Sequence, residues 1–151
     1  SSMKIHRIMT TQVEVVSPLT TLEQAARIMR EKDVGALPAV QNGRLVGIVT
    51  DRDMVVRGIA ENKIGMFSLV SDVMTKDLVS CVCEDGVEDV IQTMGRAQVR
   101  RLPIVDEDQA VVGIVSLSDI ALNEDDAATF ALVEISEPSL LVDQALAARV
   151  G

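Results

Sequence analysis

The chain has 151 residues, 48% of them hydrophobic but only 1% aromatic, and a net charge of −9 at pH 7. That length buries a real core without covalent staples, and the acidity argues against nucleic acid as a partner, since such binding rests on neutralising phosphates with cations. The longest apolar run, residues 110–115, is far too short to cross a bilayer, so no membrane insertion is expected. Mean hydropathy is nonetheless +0.28, more apolar surface than one core consumes, which predicts a homodimer. No signal or transit segment is visible, which predicts a cytoplasmic protein. Ser1 and Ser2 before Met3 read as a cloning scar on a short N-terminal arm, residues 1–7.

In chain order, Ile8, Met9 and Thr10 open a first unit, and a β-rich stretch follows over residues 13–16. Thr20 with Glu23 three residues on reads as a helix start. Leu22, Ala25, Ala26 and Met29 then recur at helical spacing. A short strand over 36–40 contains Pro38, which cannot donate to a ladder and so belongs at a strand start or an edge. Gln41, Asn42, Gly43 and Arg44 form a hairpin turn into a strand over 45–49. A helix over 51–60 comes next; its Met54, Val55, Val56 and Ile59 cover a wide arc and place the subunit contact there.

The unit is then written again. At a shift of 65, Met9-Thr10 falls on Met74-Thr75, Glu23 on Glu88, Met29 on Met94 and Leu37-Pro38 on Leu102-Pro103. One extra residue in the turn over 106–110 moves the shift to 66, and Val46-Gly47-Ile48-Val49 falls on Val112-Gly113-Ile114-Val115. The second copy has a β-rich stretch over 78–82, a helix start at Asp85 with Glu88, strands over 101–105 and 111–115, and a helix over 118–123. Cys81 and Cys83, two apart in a strand, point the same way and are poorly placed for a disulfide. Two thiols do not make a zinc site, so both read as small core hydrophobes. The fold class is α/β (α+β): two β-α-β-β-α repeats. Repeat one spans 8–64, a connector 65–72 and repeat two 73–123. A helical segment over 124–151 closes the chain, with a charged break at 124–126 and helices over 127–135 and 140–150.

Both copies run from a strand straight into a helix, with a hydroxyl residue followed three positions on by aspartate: Thr50 and Asp53, Ser116 and Asp119. The free N–H groups at such a junction attract an anion. The hydroxyl can give or take a hydrogen bond, and an ionised aspartate is acceptor-only, which suits the vicinal hydroxyls of a ribose. The same spacing is that of a helix capping box; the hydroxyl can serve both ends. Arginine supplies a planar fork for phosphate. Copy one has Arg52 inside the motif, where copy two has Ser118; copy two has Arg100 and Arg101 where copy one has Gly35 and Ala36. Each arginine also reads as part of a solvated face. Unequal sites follow, with copy two the better for phosphate. His6 is either an exposed terminal residue or a phosphate contact.

The Met-Thr openings, Leu37-Pro38 and Leu102-Pro103, and the two Gly-Ile-Val-Thr/Ser-x-x-Asp segments resemble a pair of CBS domains, the tandem arrangement called a Bateman module, over roughly residues 8–123. The stretch Gly113-Ile114-Val115-Ser116-Leu117-Ser118-Asp119-Ile120 is similar to an AMP-binding segment of the gamma subunit of AMP-activated protein kinase, and Arg100-Arg101-Leu102 to a segment there that faces phosphate. The chain as a whole is similar to small stand-alone bacterial CBS-pair proteins. The resemblance implies that the two repeats pack pseudo-symmetrically into one module, with two clefts between them that bind adenosine-containing small molecules, adenine lying against the apolar residues near 13–17 and 78–82, and that two modules pair through their helices.

Together these readings predict a non-enzymatic regulatory module. Its ligand is an adenine nucleotide (AMP, ADP or ATP), with no obligatory cofactor and no metal, held by Thr50, Arg52, Asp53, Arg100, Arg101, Ser116 and Asp119. Occupancy is signalled to an unidentified regulated protein. An enzyme is disfavoured: the chain has one histidine, no Walker loop, no G-x-G-x-x-G and no metal-ligand cluster. The alternative is a structural dimerisation or adaptor protein with empty clefts, acting through its C-terminal segment.

Overall fold

In the computed structural model of the protein, residues 3–123 are described. The break expected at 124–126 and the helices expected over 127–135 and 140–150 lie outside the described residues. Contacts gather the described residues into two compact units, one of residues 3–10, 79–104 and 113–123, the other of residues 11–78 and 105–112.

The unit containing residues 11–78 begins its regular structure with helix α1 (Leu22–Lys32). Its cap is Thr21, one residue later than expected: the Thr21 hydroxyl accepts the Gln24 N–H and Gln24 Oε1 accepts the Thr21 N–H, both at 3.1 Å. Thr20 instead closes the preceding turn, its Oγ1 accepting the Ser17 N–H at 3.0 Å. Leu22, Ala25 and Met29 are buried, whereas Ala26 faces out.

Strands β1 (Ala36–Gln41) and β2 (Arg44–Thr50) form an antiparallel hairpin that sets Ala36 opposite Thr50 and Leu37 opposite Val49. Asn42 and Gly43 turn it with φ of 53° and 75°, the left-handed pair that a two-residue loop between twisted strands requires. The β-rich stretch at 13–16 contributes one bridging residue rather than a strand: Val16 donates to the Pro38 carbonyl at 2.9 Å and accepts from Val40 N–H at 2.8 Å. The next donor along that edge of β1 is Pro38, which has no N–H, so the pairing stops there.

The expected single helix over 51–60 starts as α2 (Asp51–Asp53) and widens into π geometry over Met54–Ile59, with Ala60 N–H reaching the Val55 carbonyl at 3.0 Å. Residues 65–72, read as connector, lead into a short helix, α3 (Val70–Val73), whose two valines are buried. They join Val16, Leu22, Ala25, Met29, Leu37, Ala39, Val49 and Met74 in this unit's core.

The other unit repeats the plan. Helix α4 (Val87–Ala97) buries Val87, Val90, Ile91 and Met94. It starts from Gly86 without a side-chain cap; Asp85, expected as that cap, accepts the Val82 N–H at 3.0 Å instead. Strands β3 (Arg101–Val105) and β4 (Val111–Ser116) form the second two-stranded sheet and run into helix α5 (Leu117–Asn123). Cys81 is the single bridging residue, donating to the Pro103 carbonyl at 3.1 Å, for the same reason as Val16. A turn of 3-10 helix over Ile5–Arg7 stands where the first unit has α3, and Ile5 is 0% exposed.

The Met-Thr openings are exchanged. Thr75 bridges Ile48 of β2, and Thr10 bridges Ile114 of β4, so each opening lies against the Gly-Ile-Val strand of the other copy. The glycines permit this approach: a Cβ at Gly47 would stand 2.5 Å from Met74 Sδ, and one at Gly113 2.5 Å from Met9 Sδ.

Helices α1 and α4 both end on a left-handed residue that is not glycine, Asp33 (φ 53°) and Gln98 (φ 56°). The following Val34 and Val99 N–H groups reach back to the Met29 and Met94 carbonyls, as in a Schellman ending. Gln98 is exposed, so Gln98→Gly removes a backbone penalty without losing a packed side chain. It is expected to raise stability by about 1 kcal/mol, read as a higher urea midpoint at unchanged slope. Among the described residues no helix is long and apolar enough to cross a membrane.

Candidate functional site

At the end of β2, Thr50 is still extended (φ −117°, ψ 161°) and the chain turns helical at Asp51. Thr50 Oγ1 accepts the Asp53 N–H at 3.0 Å, and Thr50 N–H donates to Asp53 Oδ2 at 3.1 Å. At the end of β4, Ser116 Oγ accepts the Asp119 N–H at 3.0 Å, and Ser116 N–H donates to Asp119 Oδ2 at 3.2 Å. The capping box is therefore made in full at both junctions. It fixes each carboxylate by one oxygen and aims it back at the strand end.

The segment before each hairpin closes against its junction. Asp51 N–H donates to the Gly35 carbonyl at 3.0 Å, and Leu117 N–H donates to the Arg100 carbonyl at 2.8 Å. The structure thus brings Arg100 to the Ser116–Asp119 junction, and Arg101, half-buried at the start of β3, follows it. Arg52 sits in the first turn after Thr50 and is exposed; its backbone N–H donates to Asp51 Oδ1 at 2.8 Å. Each copy therefore has arginine at its own junction, from inside the motif in copy one and from before β3 in copy two.

The two carboxylates differ in their surroundings. Asp53 is buried and Asp119 half-buried. Asp53 has two further neighbours that sequence reasoning missed. Thr75 Oγ1 donates towards its two oxygens at 3.4 and 3.5 Å, and Arg57 Nε stands 4.0 Å from Oδ1. Arg57 was open to discovery, since it lies four residues on from Asp53 and so shares its helix face. Thr75 was visible as half of a repeated Met-Thr pair, but nothing local says that it reaches the other copy's strand.

In the stretches expected near adenine, Val15, Val79 and Val82 present exposed aliphatic surface. His6 is exposed, and its backbone N–H donates to the Cys83 carbonyl at 3.3 Å. Cys81 is buried and Cys83 half-buried, both as free thiols. Burial, reinforced by Asp85, pushes the Cys81 thiol up to about 11, so at neutral pH it is a protonated core residue and a poor nucleophile. Among the described residues no group of three or more His, Cys, Asp or Glu could hold a metal ion.

The CBS domain model matches residues 5–58 and 70–124. The CBS domain-containing protein YhcV of Bacillus subtilis (strain 168) is 44% identical over 134 residues, which cover 87% of this chain and 94% of that protein. Among solved structures, the CBS domain pair of protein MJ0100, in complex with 5-methylthioadenosine and S-adenosyl-L-methionine, superposes with a TM-score of 0.74 at 26% identity, covering 81% of this chain and 95% of that one. CBSX2 in complex with AMP gives a TM-score of 0.69 at 27% identity, covering 79% and 93%. Two matched domains, one on each copy of the repeat, and likeness to CBS proteins over most of the chain's length lead to one conclusion: the chain belongs to the CBS domain family and is a CBS domain pair.

Proposed function

We propose that this CBS pair is a non-enzymatic regulatory module that binds an adenine nucleotide, AMP, ADP or ATP, at its strand-to-helix junctions and signals occupancy to a protein partner. The observation that carries this reading is the doubled junction: Thr50 with Asp53 and Ser116 with Asp119 in the same hydrogen-bonded geometry. Solved neighbours that hold AMP, 5-methylthioadenosine or S-adenosyl-L-methionine supply the ligand class. The aspartates accept the ribose hydroxyls, and Thr50, Ser116, Arg52, Arg100 and Arg101 serve the phosphate. Aspartate repels phosphate, so sugar and phosphate take opposite sides of each junction. Signalling requires that the ligand bind one conformation better than another. The nucleotide is a regulatory ligand and no cofactor is required.

The module works as a homodimer in the cytoplasm. Val55, Val56, Ile59, Met66 and Phe67 are exposed apolar side chains in one unit, and a second copy would cover them.

A second reading, a structural dimerisation or adaptor protein acting through residues 124–151, is favoured by one observation. Each hydroxyl and aspartate of the two junctions is already employed in capping its own helix, a role that accounts for the motif by itself.

A thermal-shift titration with AMP, ADP, ATP, S-adenosylmethionine and NADH separates the readings. A ligand at a hundred times its Kd adds about 2.7 kcal/mol, so one of the three adenine nucleotides is expected to raise Tm by several degrees. A rise with S-adenosylmethionine or NADH alone reassigns the ligand. No rise with any of the five favours the adaptor.

A further inference from the structure

Building on the nucleotide-binding reading, we propose that Arg57 is an internal latch on the first junction: it holds the Asp53 carboxylate when the site is empty, so that a ribose must displace it there but not at the second junction. The two junctions share their caps and differ in what else reaches the carboxylate. Arg57 Nε stands 4.0 Å from Asp53 Oδ1, and Arg57 Nη1 donates to the Met74 carbonyl at 3.4 Å. Thr75 Oγ1 lies against both carboxylate oxygens. The side chain of Asp53 is 12% exposed and that of Arg57 46%, so the cation is the partner free to swing away.

In the second copy the place of Arg57 is taken by Asn123. Its Nδ2 donates to the Asp119 backbone carbonyl at 2.7 Å and not to the carboxylate. The place of Thr75 is taken by Thr10, which pairs with Ile114 through its backbone. Among the described residues Asp119 Oδ2 accepts the Ser116 N–H and Oδ1 accepts no hydrogen bond. A ribose diol needs two acceptor positions on an ionised carboxylate. Among the described residues Asp119 has one oxygen that accepts no hydrogen bond, whereas the Asp53 oxygens face the Thr75 hydroxyl and, at 4.0 Å, the Arg57 guanidinium.

The contrast separates the roles of the two sites. The second junction fills first. Filling the first junction displaces Arg57, which sits in the π-helical turn Met54–Ile59 together with exposed Val55, Val56 and Ile59. Occupancy of the weaker site is therefore the event coupled to that apolar face.

The test is calorimetric titration of the full chain with AMP, and with ADP and ATP if AMP does not bind, in wild type, in Asp119→Ala, and in Asp119→Ala combined with Arg57→Ala or Arg57→Gln. Asp119→Ala leaves only the first junction to report. Adding Arg57→Ala is expected to tighten AMP there about tenfold. Arg57→Gln, which keeps an amide donor for the Met74 carbonyl but no charge, is expected to move affinity the same way. AMP binding to wild type with the first junction unchanged or weakened by both Arg57 substitutions overturns the latch and leaves the nucleotide reading standing. No binding of AMP, ADP or ATP to wild type or to any variant overturns the nucleotide reading, and the latch with it.

Discussion

Asp119→Ala is expected to cut the nucleotide-induced rise in Tm to what the first junction alone supplies and to lower the stability of the unliganded chain by only about 1 kcal/mol. The two effects have different causes. The Asp119 carboxylate accepts the Ser116 N–H, which completes a helix cap, and losing such a cap costs about 0.5–2 kcal/mol. Its second oxygen is the acceptor assigned to ribose. A hydrogen bond to a charged group is worth roughly 1.5–3 kcal/mol, so losing the diol contacts weakens binding by about a hundredfold or more. Asp119→Asn separates the two roles, because an amide oxygen still accepts the Ser116 N–H while the charge is gone. Its unliganded Tm should match wild type and its nucleotide affinity should fall. If Asp119→Ala binds nucleotide as wild type does, Ser116 and Asp119 form a cap and nothing more.

Ile5→Ala is expected to destabilise the chain by about 2–5 kcal/mol, the range for emptying a buried aliphatic site. Ile5 is 0% exposed, and its N–H donates to the Asp85 carbonyl at 2.8 Å. The neighbouring His6 is exposed, and His6→Ala should stay within about 0.5 kcal/mol of wild type. Urea unfolding of both variants, compared at equal slope, measures the difference. An Ile5→Ala midpoint no lower than that of His6→Ala would mean that residues 3–10 add nothing to the unit they complete.

That contrast marks where the sequence was readable and where it was not. The repeat, the hairpin turn at Asn42-Gly43, the four hairpin strands and the Thr50–Asp53 and Ser116–Asp119 junctions were legible because each is set by residues a few positions apart. The helix starts were not. Thr20 with Glu23 and Thr21 with Gln24 satisfy the same local pattern, and the pattern alone cannot choose between them. The observed start has a distant partner: Leu22 N–H donates to the Ser68 carbonyl at 2.9 Å. In the second copy Asp85 with Glu88 fits the pattern equally well, yet the helix begins at Val87, whose N–H meets the Met3 carbonyl at 2.9 Å. The buried role of Ile5 and the reach of Thr75 and Arg57 to Asp53 are likewise tertiary. A sequence pattern can mark the residues of a junction, but not what the fold sets against them.

The exchange of the Met-Thr openings has a consequence for the order of events on the ribosome. When Thr75 emerges, its partner Ile48 and the glycine beside Met74 have already been made, so that opening can dock at once. Thr10 emerges long before its partner Ile114. Ile5 needs Asp85, and Met9 needs Gly113. Contacts so far apart in sequence form slowly, because the intervening chain must be ordered before they return any free energy. Residues 3–10 thus emerge well before the segments they pack on, and until then the nascent chain holds out apolar side chains that it cannot yet bury.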